Sequence, residues 1–187
     1  MNTAGDPRPF QRLSREVLVD NPWHRYCLDR YVRRDGTEGR YYYIDMPGSV
    51  GIIPLYPDGS TVLLKQRRYL LDVELWEFPI GGLAEGADPL STGRNELREE
   101  AGLEAGRWDR LGAFAPYKGV SNERCGFYLA RDLKAVPRAP EPEELISVHR
   151  FPLEEARRIL LDQELGDGQS WCGLLLLDRF LAHGARA

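Results

Sequence analysis

A chain of 187 residues is long enough for one well-buried domain and too short for two large ones. Hydrophobic residues make up 42% and charged residues 29%, the balance of an ordinary globular protein. A formal net charge of -4 excludes a bulk pull toward nucleic acid or an anionic membrane, so an anionic substrate needs local arginines or a metal ion.

Residues 1–14 read as a loose, polar tail broken by Pro7 and Pro9, with no apolar stretch of signal-peptide length. From Glu16 the pattern turns to strands. Val17 and Val19 alternate with polar neighbours, and Arg25–Val32 and Arg40–Ile44 are aromatic and β-branched runs. Asp35-Gly36 between those runs signals a hairpin, because both residues tolerate positive φ. A second hairpin-like unit follows, with Val50–Tyr56, the turn Pro57-Asp58-Gly59-Ser60, and Thr61–Lys65. Trp76–Pro79 is a short strand running into Gly81-Gly82.

The period then changes. Pro89 suits a helix start, Leu90, Leu97 and Ala101 fall at helical spacing, and Gly102 is a fitting stop. Strands resume over Trp108–Pro116 and Arg124–Ala130, Pro137–Pro142 is a proline-rich loop, and Leu145–Phe151 is a further strand. Helices over about 153–161 and 169–182 close the chain. Strands interrupted by one helix and finished by two predict an α+β fold with a sheet packed between helices.

Cys27, Cys125 and Cys172 are scattered and odd in number, which argues against a disulfide framework or a zinc site and fits a reducing cytoplasm. The longest apolar run, Leu174–Leu177, is far short of a membrane span. His24, His149 and His183 are equally scattered and suggest no catalytic histidine.

The central helix carries Glu96, Glu99 and Glu100. Positions i, i+3 and i+4 share one helix face, where like charges repel. Two readings compete: a solvated acidic face, or a set of hard oxygen ligands whose repulsion a magnesium or manganese ion reverses. The glycine turn upstream, which lets backbone approach a ligand closely, and the Gly102-Leu103 stop downstream favour the second.

Gly81 to Leu103 resembles the Nudix box, G-x5-E-x7-R-E-U-x-E-E-x-G-U with U aliphatic. Gly81, Glu96, Leu97, Glu99, Glu100, Gly102 and Leu103 match in a single register over 23 positions. Ala87 stands where the box has its first glutamate and Asn95 where it has arginine. Arg94 lies about 100° around the helix axis from Asn95 and does not simply substitute, whereas Glu85 is placed to lean in for Ala87. Beyond the box, residues 15–182 resemble the ADP-ribose pyrophosphatase branch. The carriers are Leu64-Lys65-Gln66-Arg67-Arg68-Tyr69, Trp76-Glu77-Phe78-Pro79, and Tyr117-Lys118-Gly119-Val120-Ser121-Asn122-Glu123, which is similar to that branch's S-P-G-x-S-x-E motif.

The resemblance implies a Nudix-type α/β/α sandwich with a mixed sheet. It divides the chain into the tail (1–14), an N-terminal β-strand extension suited to dimerisation (15–46) and a Nudix core (47–187). It implies Mg2+ or Mn2+ held by Glu96 and Glu100, with Glu99 as a further ligand or water-holding catalytic group and the Ile80 carbonyl contributing. Arg68 would contact a diphosphate, and Glu77, Gly81 and Glu123 would also bind substrate. A general base would come from Glu144, with Glu141 and Glu143 behind it. Trp23, Tyr26, Tyr31 and Tyr41–Tyr43 fit strand packing and a dimer interface, or a base-stacking platform led by Trp23 or Tyr26. The implied activity is metal-dependent hydrolysis of a nucleoside diphosphate derivative, ADP-ribose or another nucleotide sugar, by a cytoplasmic homodimer without nucleic-acid or membrane partners. A catalytically weakened, nucleotide-binding regulatory module is the alternative that Ala87 and Asn95 raise.

Overall fold

A computed structural model describes residues 10–138 and 145–184. The described residues form ten strands and three helices. In chain order these are β1 (Arg12–Asp20), β2 (Arg25–Val32), β3 (Glu38–Asp45), β4 (Ser49–Pro54), β5 (Ser60–Arg68), β6 (Val73–Glu77), β7 (Ile80–Gly82), α1 (Pro89–Ala101), β8 (Leu103–Phe114), β9 (Cys125–Ala135), β10 (Ile146–Pro152), α2 (Leu153–Leu161) and α3 (Gly168–His183). They divide into two units, one of residues up to Pro47 with Tyr117–Glu123, the other of Gly48–Pro116 with the residues from Arg124 onward.

The first unit is an antiparallel sheet of order β1-β2-β3. The Asp35-Gly36 hairpin forms as the sequence indicates. Gly36 takes φ 82°, and the Asp35 carboxylate accepts hydrogen bonds from the Thr37 amide and hydroxyl. β1 starts at Arg12, so residues 12–14 belong to a strand and not to a tail. Its Val17 and Val19 do not pick out a buried face, because all nine residues of β1 are exposed. Antiparallel pairing with β2 holds the strand, and Arg15 adds to it by donating to Asp29 at 3.0 Å and to Asp45 at 3.2 Å with its guanidinium over the Tyr43 ring. The 117–123 segment joins this unit through the Ile44 amide on the Val120 carbonyl and the Tyr41 hydroxyl on the Gly119 carbonyl.

The second unit holds two sheets. One has order β10-β5-β6; the other, β7-β4-β9-β8, is mixed, with β4 and β9 parallel. The expected second hairpin is therefore not a paired one: β4 pairs with β7 and β9, β5 pairs with β10 and β6, and the two arms meet near the turn through the isolated Leu55–Thr61 bridge, the Tyr56 amide on the Ser60 carbonyl and the Thr61 hydroxyl on the Pro54 carbonyl. Composition gives the reason. All six residues of β4 and the first five of β5 are buried, so both strands are interior strands without a solvent face.

Alternation along β4 sorts the core into two layers. Ile52 packs with Val62, Leu64, Leu97, Ala101 and Ala130 beneath α1. Ile53 points the other way, into a cluster with Leu63, Phe78 and Phe127 and with Leu160, Leu174 and Leu177 of α2 and α3. The outcome is an α/β/α sandwich in which α1 covers one face of the sheets and α2 and α3 cover the other. Cys27 and Cys125 are buried and Cys172 is half-buried, none of them in a disulfide.

Candidate active site

Helix α1 starts and stops where local chemistry directs. Asp88 is the N-cap, its carboxylate accepting from the Ser91 amide at 2.9 Å and hydroxyl at 2.8 Å, and Pro89 follows in the first turn. These Ser91 hydrogen bonds hold the Asp88 carboxyl below its usual range. Gly102 closes the helix in the left-handed region, φ 67°, returning its amide to the Arg98 and Leu97 carbonyls. Fixed ends fix the rotation of the helix. Gly93, Leu97 and Ala101 face the sheet, Glu100 shares that buried side at 4% exposure, and Glu96 and Glu99 stand half-buried beside it.

β7 places the glycine turn under this face. Gly81 pairs with Val50 and Ile80 with Gly51, and the Pro79 carbonyl accepts from the Ile52 amide. A Cβ added to Gly81 would fall 2.0 Å from the Glu96 carboxyl carbon and 2.2 Å from its Oε1. The missing side chain is thus the space the Glu96 carboxylate occupies, and it brings that carboxylate against the strand bearing the Ile80 carbonyl.

Glu99 is drawn sideways to Arg98, 3.3 Å away. Among the described residues no group of three His, Cys, Asp or Glu side chains is gathered closely enough to hold a metal ion as they stand. Glu96 and Glu100 of α1 nevertheless offer only hard oxygen donors, the donor chemistry that suits magnesium or manganese, and Glu96 lies against the strand that carries Ile80. The cradle that Gly81 leaves for Glu96 fits such an ion's ligand.

Arg68 and Glu77, independent candidates in the sequence, form one unit. The Glu77 Oε2 accepts from Arg68 Nη2 at 2.5 Å and from Nε at 3.2 Å. Glu77 is 2% exposed, whereas the Arg68 side chain keeps 39% of its surface. Burial pushes the Glu77 carboxyl up to about 7 against the opposing pull of Arg68. No spacing rule marks this pair. The register sets Arg68 opposite Val73 and Glu77 opposite Leu64, so the guanidinium reaches back along the sheet.

The two departures from the box are exposed to different degrees. Ala87 sits half-buried in a turn with its amide on the Ala84 carbonyl, next to exposed Glu85. Asn95 lines a pocket of about 260 Å³ on the flank of α1 with Arg94, Arg98, Glu104 and Trp108. Trp23, Tyr26 and Glu123 belong to the first unit. Trp23 is 76% exposed on a turn whose Trp23 and His24 amides donate to the Asn21 side chain, Tyr26 stacks on Tyr42, and Glu123 is buried. Glu141, Glu143 and Glu144 lie outside the described residues.

Comparison with known proteins decides the family. The NUDIX domain model matches residues 46–171. The chain belongs to the Nudix family. An ADP-ribose pyrophosphatase of Mycobacterium tuberculosis is 34% identical over 169 residues, covering 89% of this chain and 82% of that protein. An ADP-ribose pyrophosphatase of Bacillus subtilis is 27% identical over 149 residues, covering 76% and 80%. In three dimensions this Nudix chain is similar to a crystal structure of an ADP compounds hydrolase, with a TM-score of 0.81, 18% identity, and 96% and 98% of the two chains covered. The Nudix fold is therefore shown by structure as well as by sequence. Among the described residues no helix is long and apolar enough to cross a membrane.

Proposed function

We propose that this Nudix hydrolase uses magnesium or manganese to split the diphosphate of ADP-ribose or a closely related nucleoside diphosphate derivative. The observation that carries the reading is the Gly81 cradle, which seats the Glu96 carboxylate against β7 while α1 presents Glu100 on the same side. The two ADP-ribose pyrophosphatases among its relatives supply the substrate class.

Glu96, Glu100 and the Ile80 carbonyl would hold the ion, with Glu99 turning from Arg98 to hold a water. A divalent cation in such a site neutralises phosphoryl charge and lowers the pKa of bound water. The chain's own groups do the rest. Arg68 offers a guanidinium fork to the diphosphate, whose oxygens match its planar donors. A carboxylate of the 141–144 loop, Glu144 foremost, would take the proton of the attacking water. Trp23 and Tyr26 offer ring faces for a base, and Glu123, buried at 6% exposure, would serve substrate binding from within the 117–123 segment. The same reading makes the protein a cytoplasmic homodimer, assembled through the exposed N-terminal strands and measurable by light scattering.

The test is a hydrolysis panel of ADP-ribose, other nucleotide sugars and dinucleotides with each metal, products resolved by chromatography. AMP and ribose 5-phosphate should appear from ADP-ribose, with turnover lost on chelation and in Glu100→Gln. Wild-type turnover no greater than that of Glu100→Gln on every substrate would refute the proposal.

A further inference from the structure

Glu77 is a buried carboxylate in a setting more rigid than its strand alone explains. One edge of β6 pairs with β5. The other edge is stitched by side chains: the Gln163 amide accepts from the Trp76 amide at 2.7 Å and donates to the Trp76 carbonyl at 3.1 Å, and the Ser170 hydroxyl accepts from the Phe78 amide at 2.9 Å. The peptide groups on both sides of Glu77 are therefore fixed from the α2–α3 side of the fold. Asp167, the N-cap of α3, adds a nearby negative charge that makes an anion here harder to keep.

Such a group is costly to bury, and nothing in core packing asks for it. The Oε2 atom takes both Arg68 contacts, whereas Oε1 is buried without a hydrogen-bond partner among the described residues. Oε1 is shut off from solvent and Oε2 is taken up by Arg68 in a side chain only 3% exposed, which leaves the carboxylate almost no surface to offer a substrate directly. The Arg68 guanidinium by contrast is part-exposed. A long flexible cation would otherwise lose rotamer entropy each time it met a phosphate, and a fixed carboxylate behind it removes that loss in advance.

We infer that Glu77 is a positioning residue that aims the Arg68 guanidinium at the substrate diphosphate and does not itself touch the substrate. The inference rests on the proposal that Arg68 meets the diphosphate. It replaces the direct substrate contact that the sequence motif suggests for Glu77.

The experiment measures KM and kcat, and separately the calorimetric Kd for ADP-ribose, in wild type, Glu77→Gln, Arg68→Ala and the double variant, with melting curves for all four. Loss of a charge-assisted hydrogen bond should raise KM and Kd about tenfold in Glu77→Gln, with a much smaller change in kcat. Because Glu77 acts through Arg68, adding Glu77→Gln to Arg68→Ala should cause no further loss. Glu77→Gln with unchanged KM and Kd, or losses that multiply in the double variant, would overturn the inference. If Glu77→Gln fails to fold, Glu77→Asp keeps the charge at a shorter reach and must show the same weakening. Wild-type binding without turnover would sink the proposed activity alone, leaving Kd to judge the positioning role; a wild type that neither binds nor turns over sinks both.

Discussion

Replacing Gly81 with alanine tests the site at its narrowest point. The new Cβ would lie 2.0 Å from the Glu96 carboxyl carbon, whereas ordinary contact is 3.4–4 Å, so the carboxylate must withdraw by about 1.4–2 Å. The nearest atoms all belong to the end of a flexible, half-buried side chain, so Glu96 is free to swing aside instead of forcing the backbone apart. Gly81 is also not among the residues with positive φ, and alanine there lowers unfolded-chain entropy by about 0.4–1 kcal/mol, which offsets local strain. Stability should then hardly move, with Tm within about 4 °C of wild type. Activity should collapse: misplacing a catalytic group by 1 Å costs about 100-fold, and here the displacement is larger. The assay is kcat/KM for ADP-ribose at saturating magnesium, paired with a melting curve. A well-folded Gly81→Ala protein retaining wild-type kcat/KM to within a few-fold would refute the idea that this glycine exists to seat Glu96.

Four further outcomes are expected. Glu100→Gln, at a position 4% exposed, should lose at least about 100-fold in kcat while binding manganese more weakly by calorimetry, if Glu100 holds the ion as proposed. Leu97→Ala removes a fully buried side chain between α1 and β4 and should cost about 2–5 kcal/mol in urea unfolding. The Glu77 carboxyl is raised from 4.5 to about 7 in the folded state, so folding favours its protonated form. Its contribution to stability is full below pH 4.5, is lost as pH rises to about 7 and is flat beyond, a change of at most about 3 kcal/mol that Glu77→Gln should abolish in melts at pH 5 and pH 8. Restoring the box with Ala87→Glu and Asn95→Arg should raise kcat/KM for ADP-ribose; an unchanged or lower value would mean that neighbouring groups already fill both roles.

Much of the second unit was legible because its signals are local. Pro89 and Gly102 bracket α1 by chemistry that acts within one turn, and the α1 boundaries in the structure are those the sequence indicates, with the Asp88 cap added by the structure. Leu153–Leu161 follows equally from helical periodicity. β8 was harder: it begins at Leu103 directly after the helix, in a polar, glycine-containing stretch (Glu104-Ala105-Gly106-Arg107) that gives no alternation, because pairing with β9 and not side-chain burial makes it a strand. β1 is the strand the alternation from Glu16 indicates, but it starts at Arg12 and none of its residues is buried, because pairing with β2 and not a core face makes it a strand.

The sequence by itself determined the family, the helix that bears the acidic residues and the glycine turn that precedes it, since each depends on residue types at short, fixed spacings. Tertiary structure decided that β4 and β5 part into different sheets, that Gly81 makes room for Glu96, and that Arg68 is held by a buried Glu77. Those facts join residues by long-range packing and strand register, and neither leaves a periodic trace along the chain.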